Sequence, residues 1–521
     1  MHPSHHARRT PDKPAYRMAG SGRVVTYGEL EDASNRLAQL FRRLGLRAGD
    51  RIALMLENHP RWFEICWAAQ RSGLVYTAIS SRLTAAEAAY IVNDCGAEAF
   101  VTSTALAAQA AELAPLAPKL RIRLMLDGTL PGWDAYEAAV AAMPAEPVAD
   151  ETAGGDMLYS SGTTGRPKGV YLPPESPDID FANALVRICA GPFGMGADTV
   201  YLSPGPLYHA APLRFAMTVM RLGGTVVVME HFDAAWFLEL VARWRVTHTQ
   251  VVPTMFVRML KLPDAQRHAH DLSSLRCAIH AAAPCPVPVK EQIIAWWGPI
   301  VWEYYAGTEG MGMTLVNSAD WLAHKGTVGR AVVGVLKICD DEGRELPPGE
   351  HGGVYFADGK AFEYWNDPAK TAERFKVIQA RQSGLVMPEV AVWSGDTVRM
   401  DEDGYLYFIS RRDEMIKTSG YRVSPTEVEE VIYASDRVGE CAAFGVSHPQ
   451  LGQAIVVVAS AKAGAEIDST AILASCKKQL PSFMVPHHIE LRSGSLPRNP
   501  NGKIDRKLLA GELAHIFGKP E

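Results

Sequence analysis

No Cys-x-x-Cys pair occurs anywhere in the 521 residues, although the chain has eight cysteines: Cys66, Cys95, Cys189, Cys277, Cys285, Cys339, Cys441 and Cys476. Scattered in this way they give no zinc-ribbon or dithiol redox motif, and they read as buried thiols in a reducing compartment rather than as a disulfide framework. No apolar run reaches the length of a membrane span, and "MHPSHHARRTPDKPAY" has no apolar stretch behind its basic residues, so no membrane span and no signal peptide are expected, and a cytoplasmic location is. No basic block is long enough to follow a nucleic-acid backbone. Lys+Arg 52 against Asp+Glu 58 leaves a net charge of -6, which sets nucleic acid aside as a partner. The sixteen histidines are dispersed; His5 and His6 are expected in a solvated, frayed end rather than at a metal. With 47% hydrophobic and 21% charged residues, wholesale disorder is excluded.

The stretch "YSSGTTGRPKGV", Tyr159 to Val170, crowds Ser, Thr and Gly ahead of Arg166-Pro167-Lys168. Gly permits positive φ and close approach to the backbone, hydroxyls and amides donate hydrogen bonds, and two cations add positive charge: the combination suits phosphate. It is not a Walker A site, because Lys168 follows Pro167 and precedes Gly169. A flexible linker is the alternative on composition alone. Against it stands apolar Met157-Leu158-Tyr159, which reads as the end of a buried strand.

Along the first hundred residues helix and strand signals alternate. "YGELEDASNRLAQLFRRLG", "HPRWFEICWAAQRSG" and "TAAEAAYIVNDCG" read as helices, and "DRIALML", "LVYTAIS" and "EAFVTS" as buried strands. The pattern resumes with "TVVVME", "AAWFLELVARWR", "HTQVV", "LRCAIHAAA" and "VKEQIIAWWG". Alternation of this kind predicts an α/β fold with parallel sheets covered by helices. From about Thr327 short strands and D-E-G and D-G turns predict a β-rich subdomain, and after Arg412 a smaller α+β unit follows. The expected fold is α/β: a large N-terminal domain of stacked sheets (1–411) with the β-rich subdomain, and a small, mobile C-terminal lid domain (412–521).

Six stretches, "SSGTTGRPKG" (160–169), "PLYH" (206–209), "YYAGTEG" (304–310), "SGDTVRMDEDGYLYFISRRD" (394–413), "IKTSGYR" (416–422) and "PRNPNGKIDR" (497–506), together resemble the adenylate-forming acyl-CoA synthetase superfamily. The resemblance implies two half-reactions: a carboxylate attacks the α-phosphate of ATP to give acyl-adenylate and pyrophosphate, then a thiol, usually that of coenzyme A, displaces AMP. It implies ATP, CoA and a small carboxylic acid as substrates and Mg²⁺ as the metal. Nothing in the sequence sets the oligomeric state, and a homodimer is compatible with it.

Residue by residue, the resemblance makes Ser160, Ser161, Gly162, Thr163, Thr164 and Gly165, with Lys168, the loop around the β- and γ-phosphates. Glu309 is the Mg²⁺ carboxylate, Thr308 its hydroxyl neighbour on the α-phosphate, and Lys503 the cation of the adenylation step; with His209 these form the implied catalytic set. Tyr305 and Ala281, Ala282, Ala283 and Pro284 lie where the family holds adenine. Asp396, with Arg411, takes the ribose hydroxyls. Asp413 corresponds to the hinge, and Arg422 to a basic residue on the loop that swings with the small domain.

The sequence departs from the family in places that bear on the acid. Ala306 stands where Gly is common and Ser410 where Gly precedes the hinge-side Arg; His280-Ala281 replaces Ser-Gly. Ala306, Leu213 and His280 are the expected acyl-pocket residues. A methyl at Ala306 intrudes less than the Trp of acetate-specific relatives, so an acid longer than two carbons is expected. No Asp follows the aromatic before His209, which argues against an α-amino acid, and apolar Leu207, Leu213, Phe215, Met217 and Met220 favour a hydrophobic acid of fatty or arylalkanoic type. Aromatic or hydroxycinnamic acids, or transfer to a carrier-protein thiol, are the alternatives. A nucleotide-binding regulator without turnover is the rival from another class, and Glu309 and Lys503 speak against it.

Overall fold

The strands of the first sheet are apolar on both sides, as strands covered by helices must be. The structure, a computed structural model, describes residues 1–160, 167–358, 362–382, 385–411, 414–419, 421–433, 437–462, 464–499 and 504–518, with backbone only for Ser160, Arg381, Gln382, Leu385 and Arg422. Arg51–Met55, Val75–Ile79, Ala99–Ser103 and Ile122–Leu126 run parallel at the centre of a sheet of eight strands among the described residues. The predicted helices connect them at Trp62–Arg71 and Ala85–Cys95. The second is framed by its ends. Thr84 Oγ1 accepts from the Glu87 amide while the Glu87 carboxylate accepts from the Thr84 amide, and the helix stops at Gly96, whose φ of 69° a side chain would resist.

Strand β1 (Gly155–Ser160) joins this sheet parallel to Val75–Ile79, and β2 (Lys168–Tyr171) turns back antiparallel to it, with Ser160 opposite Lys168. The Gly-rich stretch therefore links two hydrogen-bonded strands at a sheet end. Along β1, Met157 packs outward against helices, and Leu158 packs into the core between the two sheets. Asp156, one residue before Met157, shares the inner face with Leu158.

The second sheet has fourteen strands among the described residues. Helix α1 (Ala210–Arg221) lies against it and sends Leu213, Phe215, Ala216 and Met217 into the inter-sheet core. Strand β3 (Cys277–His280), helix α2 (Val287–Trp297) and strand β4 (Val301–Ala306) form a parallel unit, after which Met313–Val316 pairs antiparallel and the sheet runs on into the predicted β-rich region. There β5 (Leu385–Met400) pairs with β6 (Leu406–Arg411) and, over its first half, with Phe375–Gln382. The last of these pairings is a long hairpin that the sequence reading did not anticipate.

The C-terminal unit holds a sheet of five strands among the described residues, built on the pairing of Val438–His448 with Gly452–Ala461. Its helix Pro425–Tyr433 starts with Pro at the first position, and Ser424 Oγ accepts from the Glu427 amide at 3.3 Å. Glu429 on that helix receives a two-pronged ion pair from Arg506, tying the last helix to the first. The expected domain boundary and hinge fall on residues 412 and 413, outside the described residues.

One expectation is overturned at the N-terminus. Ser4–Arg9 is a helix, His5 Nε2 is 2.8 Å from Asp180, His6 Nε2 is 2.9 Å from the Arg221 carbonyl, and His2 is buried edge-on against Trp67. These contacts with distant residues hold the segment that composition alone left to fray. All eight cysteines are free thiols. Among the described residues no helix is long and apolar enough to cross a membrane.

Candidate active site

The family of parallel strands ends at β4, and the chain then makes a tight turn through Gly307, Thr308, Glu309 and Gly310, the last with φ of 64°. The turn aims Glu309 at the edge of the first sheet. Tyr364, in the short strand paired to β2 opposite Val170, donates its hydroxyl to Glu309 Oε1 at 2.7 Å, and Arg374 Nε donates to the Tyr364 oxygen at 3.1 Å. Lys168 Nζ lies 5.5 Å from the centre of the same ring. Lys168 and Glu309, far apart in sequence, thus meet around Tyr364. Glu309 Oε2 folds back so far that a Cβ on Gly307 would stand 2.8 Å from it, so a side chain there would push the carboxylate out of this position. Partial burial, with Lys370 and Arg374 nearby, holds the Lys168 ammonium below its usual range. Beside it a cavity of about 240 Å³ opens among Tyr90, Asp94, Pro167, Lys168, Trp365 and Asn366.

A second cluster forms where β4, β5 and β6 meet. Tyr305 donates its hydroxyl to Asp396 Oδ2, the Asp396 amide donates to Ser394 Oγ at 3.0 Å, and Arg411, directly across from Asp396, places Nε 3.6 Å from Oδ1. Asp396 is 6% exposed, and its Oδ1 has no hydrogen-bond partner among the described residues. Burial pushes this carboxyl up from its usual range, with Arg411 pulling the other way. A buried carboxylate oxygen left without a donor fits a hydroxyl-bearing ligand such as ribose.

Following β3, the loop Ala281, Ala282, Ala283 and Pro284 lies at the carboxyl end of parallel strands, the position where open α/β sheets bind ligands. Ala281 is buried and the next three are exposed. Ala282 has φ of 75°, a left-handed conformation rare for a residue with a side chain.

His280 requires a correction. Strand alternation turns it away from the inter-sheet core, onto the opposite face of the sheet, where it packs edge-on against Phe256 at 5.4 Å. Its Nε2 stands 3.5 Å from Glu303 Oε2, which Lys290 of α2 contacts at 2.6 Å. Burial first and Lys290 second drive the His280 pKa well below its ordinary value. It belongs to a buried polar cluster with Glu303 and Lys290, on the face of the sheet turned away from Leu213. Leu213 is fully buried between the sheets, Ala306 is exposed at the end of β4, and His209 caps α1 with its ring edge-on to Tyr208 at 4.6 Å.

Ser161, Gly162, Thr163, Thr164, Gly165, Asp413 and Lys503 lie outside the described residues. Ser160 closes β1 and Arg422 sits in the strand Tyr421–Val423. Sequence reading missed Tyr364, Tyr304 and the pair Asp156–Arg214. The one available signal was an acid and a base alone in the otherwise apolar "GGDMLY" and "APLRFAMTVM".

The model of the AMP-binding enzyme family matches residues 4–363, and that of the AMP-binding enzyme C-terminal domain matches residues 427–503. A feruloyl-CoA synthase of Amycolatopsis sp is 31% identical over 99% of this chain and 98% of its own length. The long-chain-fatty-acid–CoA ligase FadD13 of Mycobacterium tuberculosis is 30% identical over 98% of this chain and 97% of its own. ATP-bound MatB from Rhodopseudomonas palustris superposes with a TM-score of 0.81 at 27% identity, covering 99% of this chain and 100% of that one. The chain belongs to the AMP-binding enzyme family, as an ATP-dependent, AMP-forming acyl-CoA synthetase.

Proposed function

We propose that this ligase activates a hydrophobic carboxylic acid of fatty or arylalkanoic type. The acid's carboxylate attacks the α-phosphorus of ATP, a new acyl–phosphate bond forms, and the bond to the bridging oxygen breaks to release pyrophosphate. The CoA thiol, losing its proton, then adds to the acyl carbonyl and AMP departs with its electron pair. The carrying observation is the orphaned Oδ1 of Asp396 beside Tyr305 and Arg411, a built acceptor for ribose, together with the convergence of Lys168 and Glu309 on Tyr364.

In this reading the Ser160–Gly165 stretch and Lys168 bind the terminal phosphates, and Ala281 to Pro284 with Tyr305 bracket adenine. Glu309, one oxygen tied by Tyr364, would supply the carboxylate that Mg²⁺ takes, and Thr308 the hydroxyl on the α-phosphate; when bound the ion neutralises phosphate charge. Lys503 supplies the cation for the charge gathering between carboxylate and α-phosphate. The unit after residue 411 turns about Asp413 between the two steps, carrying Lys503 and Arg422 with it, and its closure keeps water off the adenylate. A cytoplasmic site, where ATP and CoA are supplied, goes with this reading.

Pyrophosphate release with ATP and Mg²⁺ against fatty, arylalkanoic, cinnamic, benzoic and steroid-side-chain acids, with and without CoA, tests it. Strong CoA-stimulated release with fatty or arylalkanoic acids is expected. Release confined to benzoic or cinnamic acids would overturn the acid class, and release indifferent to CoA would overturn CoA as acceptor.

A further inference from the structure

Two charged side chains stand in the inter-sheet space beside Leu213, the residue that the resemblance puts in the acyl pocket. Asp156 lies on the inner face of β1, the face that also carries Leu158. Arg214 follows Leu213 on α1. The guanidinium grips the carboxylate with both tines, Nε to Oδ2 at 2.7 Å and Nη2 to Oδ1 at 2.8 Å. Their side chains remain 27% and 13% exposed, so the pair is not sealed in the core.

Such a pair contributes little to stability. Two half-buried charges lose hydration, and an apolar pair of similar volume would brace β1 against α1 at least as well. The geometry leaves donors unspent. The bonds to Asp156 use Nε and Nη2, and Arg214 Nη1 has no acceptor among the described residues. Tyr304 sits two residues before Ala306 and therefore on the same face of β4. Its ring stacks on Phe215 at 5.9 Å, and its hydroxyl also bonds to none of the described residues. Phe215, on which the Tyr304 ring stacks, directly follows Arg214 on α1, so Tyr304 packs against the helix turn that carries the guanidinium.

The unspent groups are donors, so they call for an acceptor. Asp156 already neutralises Arg214, so a second carboxylate would meet a negative charge as well as a positive one. An uncharged oxygen meets only the donors. From His209 to Arg214 is five residues, about 7.5 Å along the helix, which sets the reach of that oxygen from the end of the site where the adenylate forms.

We propose that Asp156, Arg214 and Tyr304 form the distal end of the acyl site, and that the acid carries an uncharged oxygen acceptor, a hydroxyl, ether or keto oxygen, remote from its carboxylate. The inference rests on the acyl-CoA synthetase reading and narrows it. Arg214 and Tyr304 recognise the oxygen, and Asp156 is a positioning residue that holds the guanidinium edge toward it.

The test is kcat/KM for CoA-dependent AMP formation by the full chain with acids matched in length: 3-phenylpropanoic against 3-(4-hydroxyphenyl)propanoic acid, octanoic against 8-hydroxyoctanoic acid, and the matching dicarboxylic acid. The oxygenated member of at least one pair should lead by about tenfold, the worth of a hydrogen bond to a charged group. Asp156→Leu with Arg214→Leu should bring that ratio to about one, chiefly by raising the rate on the plain acid relative to the oxygenated one. Tyr304→Phe, which removes no charge and keeps the stack, should lower it several-fold and serves if the double variant does not fold. A wild-type ratio of one in both pairs, a preference for the dicarboxylic acid, or variants that lose rate equally on both members would overturn the inference and leave the pair a structural brace. No turnover on any acid would instead overturn the ligase reading itself, and this inference with it.

Discussion

Tyr364 on the edge of the first sheet donates a 2.7 Å hydrogen bond to Glu309, which ends the parallel run of the second. This contact joins the two sheets at the point where the phosphates and metal are proposed to sit. Glu309 is held in place from one side, by a hydroxyl that is itself held by Arg374.

Tyr364→Phe should therefore leave the fold intact and loosen Glu309. A hydrogen bond to a charged group contributes roughly 1.5–3 kcal/mol, so pyrophosphate release should fall by about tenfold or more. Titrating Mg²⁺ in that assay should show a higher metal requirement for the variant, and chelating the metal should silence both proteins. An unchanged Mg²⁺ dependence would show that Glu309 needs no support from Tyr364.

Asp396 carries an opposition between stability and binding. Burial raises its pKa in the folded chain, so between the unfolded and folded values the native state holds the extra proton. Its effect on stability without nucleotide is therefore favourable at acidic pH and is lost as pH rises from the ordinary Asp value through the folded one. Asp396→Asn should remove this loss, raising the neutral-pH unfolding midpoint of the ATP-free protein, while weakening ATP binding by about tenfold or more through the lost ribose acceptor. Thermal melts across pH, with and without ATP, check both signs. A destabilised variant at neutral pH would show that the carboxylate is stabilised by Arg411 more than burial costs it.

The buried trio of His280, Lys290 and Glu303 makes a different prediction. Lys290→Met leaves the Glu303 carboxylate sealed in the core without its cation, and should cost about 3–5 kcal/mol. Lys290→Met with Glu303→Gln should recover much of that, and neither change should alter the ranking of acids, because His280 and its partners face away from α1. A shift in acid preference in the double variant would return His280 to the acyl site.

Much of the fold was legible because hydrophobic period is local: the alternating strands and helices from Arg51–Met55 through β4 stand where the pattern put them. The hairpin of Phe375–Gln382 with β5 was not, since Pro388 lacks the N–H of a ladder residue and by local pattern argues against a strand. Pro388 is tolerated because that half of β5 pairs on one side only, with Gln379 opposite Pro388. His280 was misplaced for a related reason. In a strand buried on both faces, apolarity does not say which face a residue takes, and one position of shift reverses it. Tyr364 and Glu309, or Asp156 and Arg214, meet across separations of 55 and 58 residues, which no local pattern reports. Glu309, Asp396 and Lys503 were recognised through the resemblance, not from spacing.

The proposed two-step cycle makes its sharpest prediction at the small unit. If Lys503 serves only the first step, Lys503→Ala should cut acyl-adenylate formation by about 10²-fold or more while sparing thioester formation from supplied acyl-adenylate and CoA. Asp413→Pro should do the reverse, since a fixed φ at the hinge holds the unit in one orientation. The two half-reactions measured separately, as pyrophosphate release and as AMP release from the synthetic adenylate, distinguish the roles. Equal damage to both steps by Lys503→Ala would make it a residue of the fold or of a shared site. An unaffected second step in Asp413→Pro would move the hinge away from the 411/412 boundary.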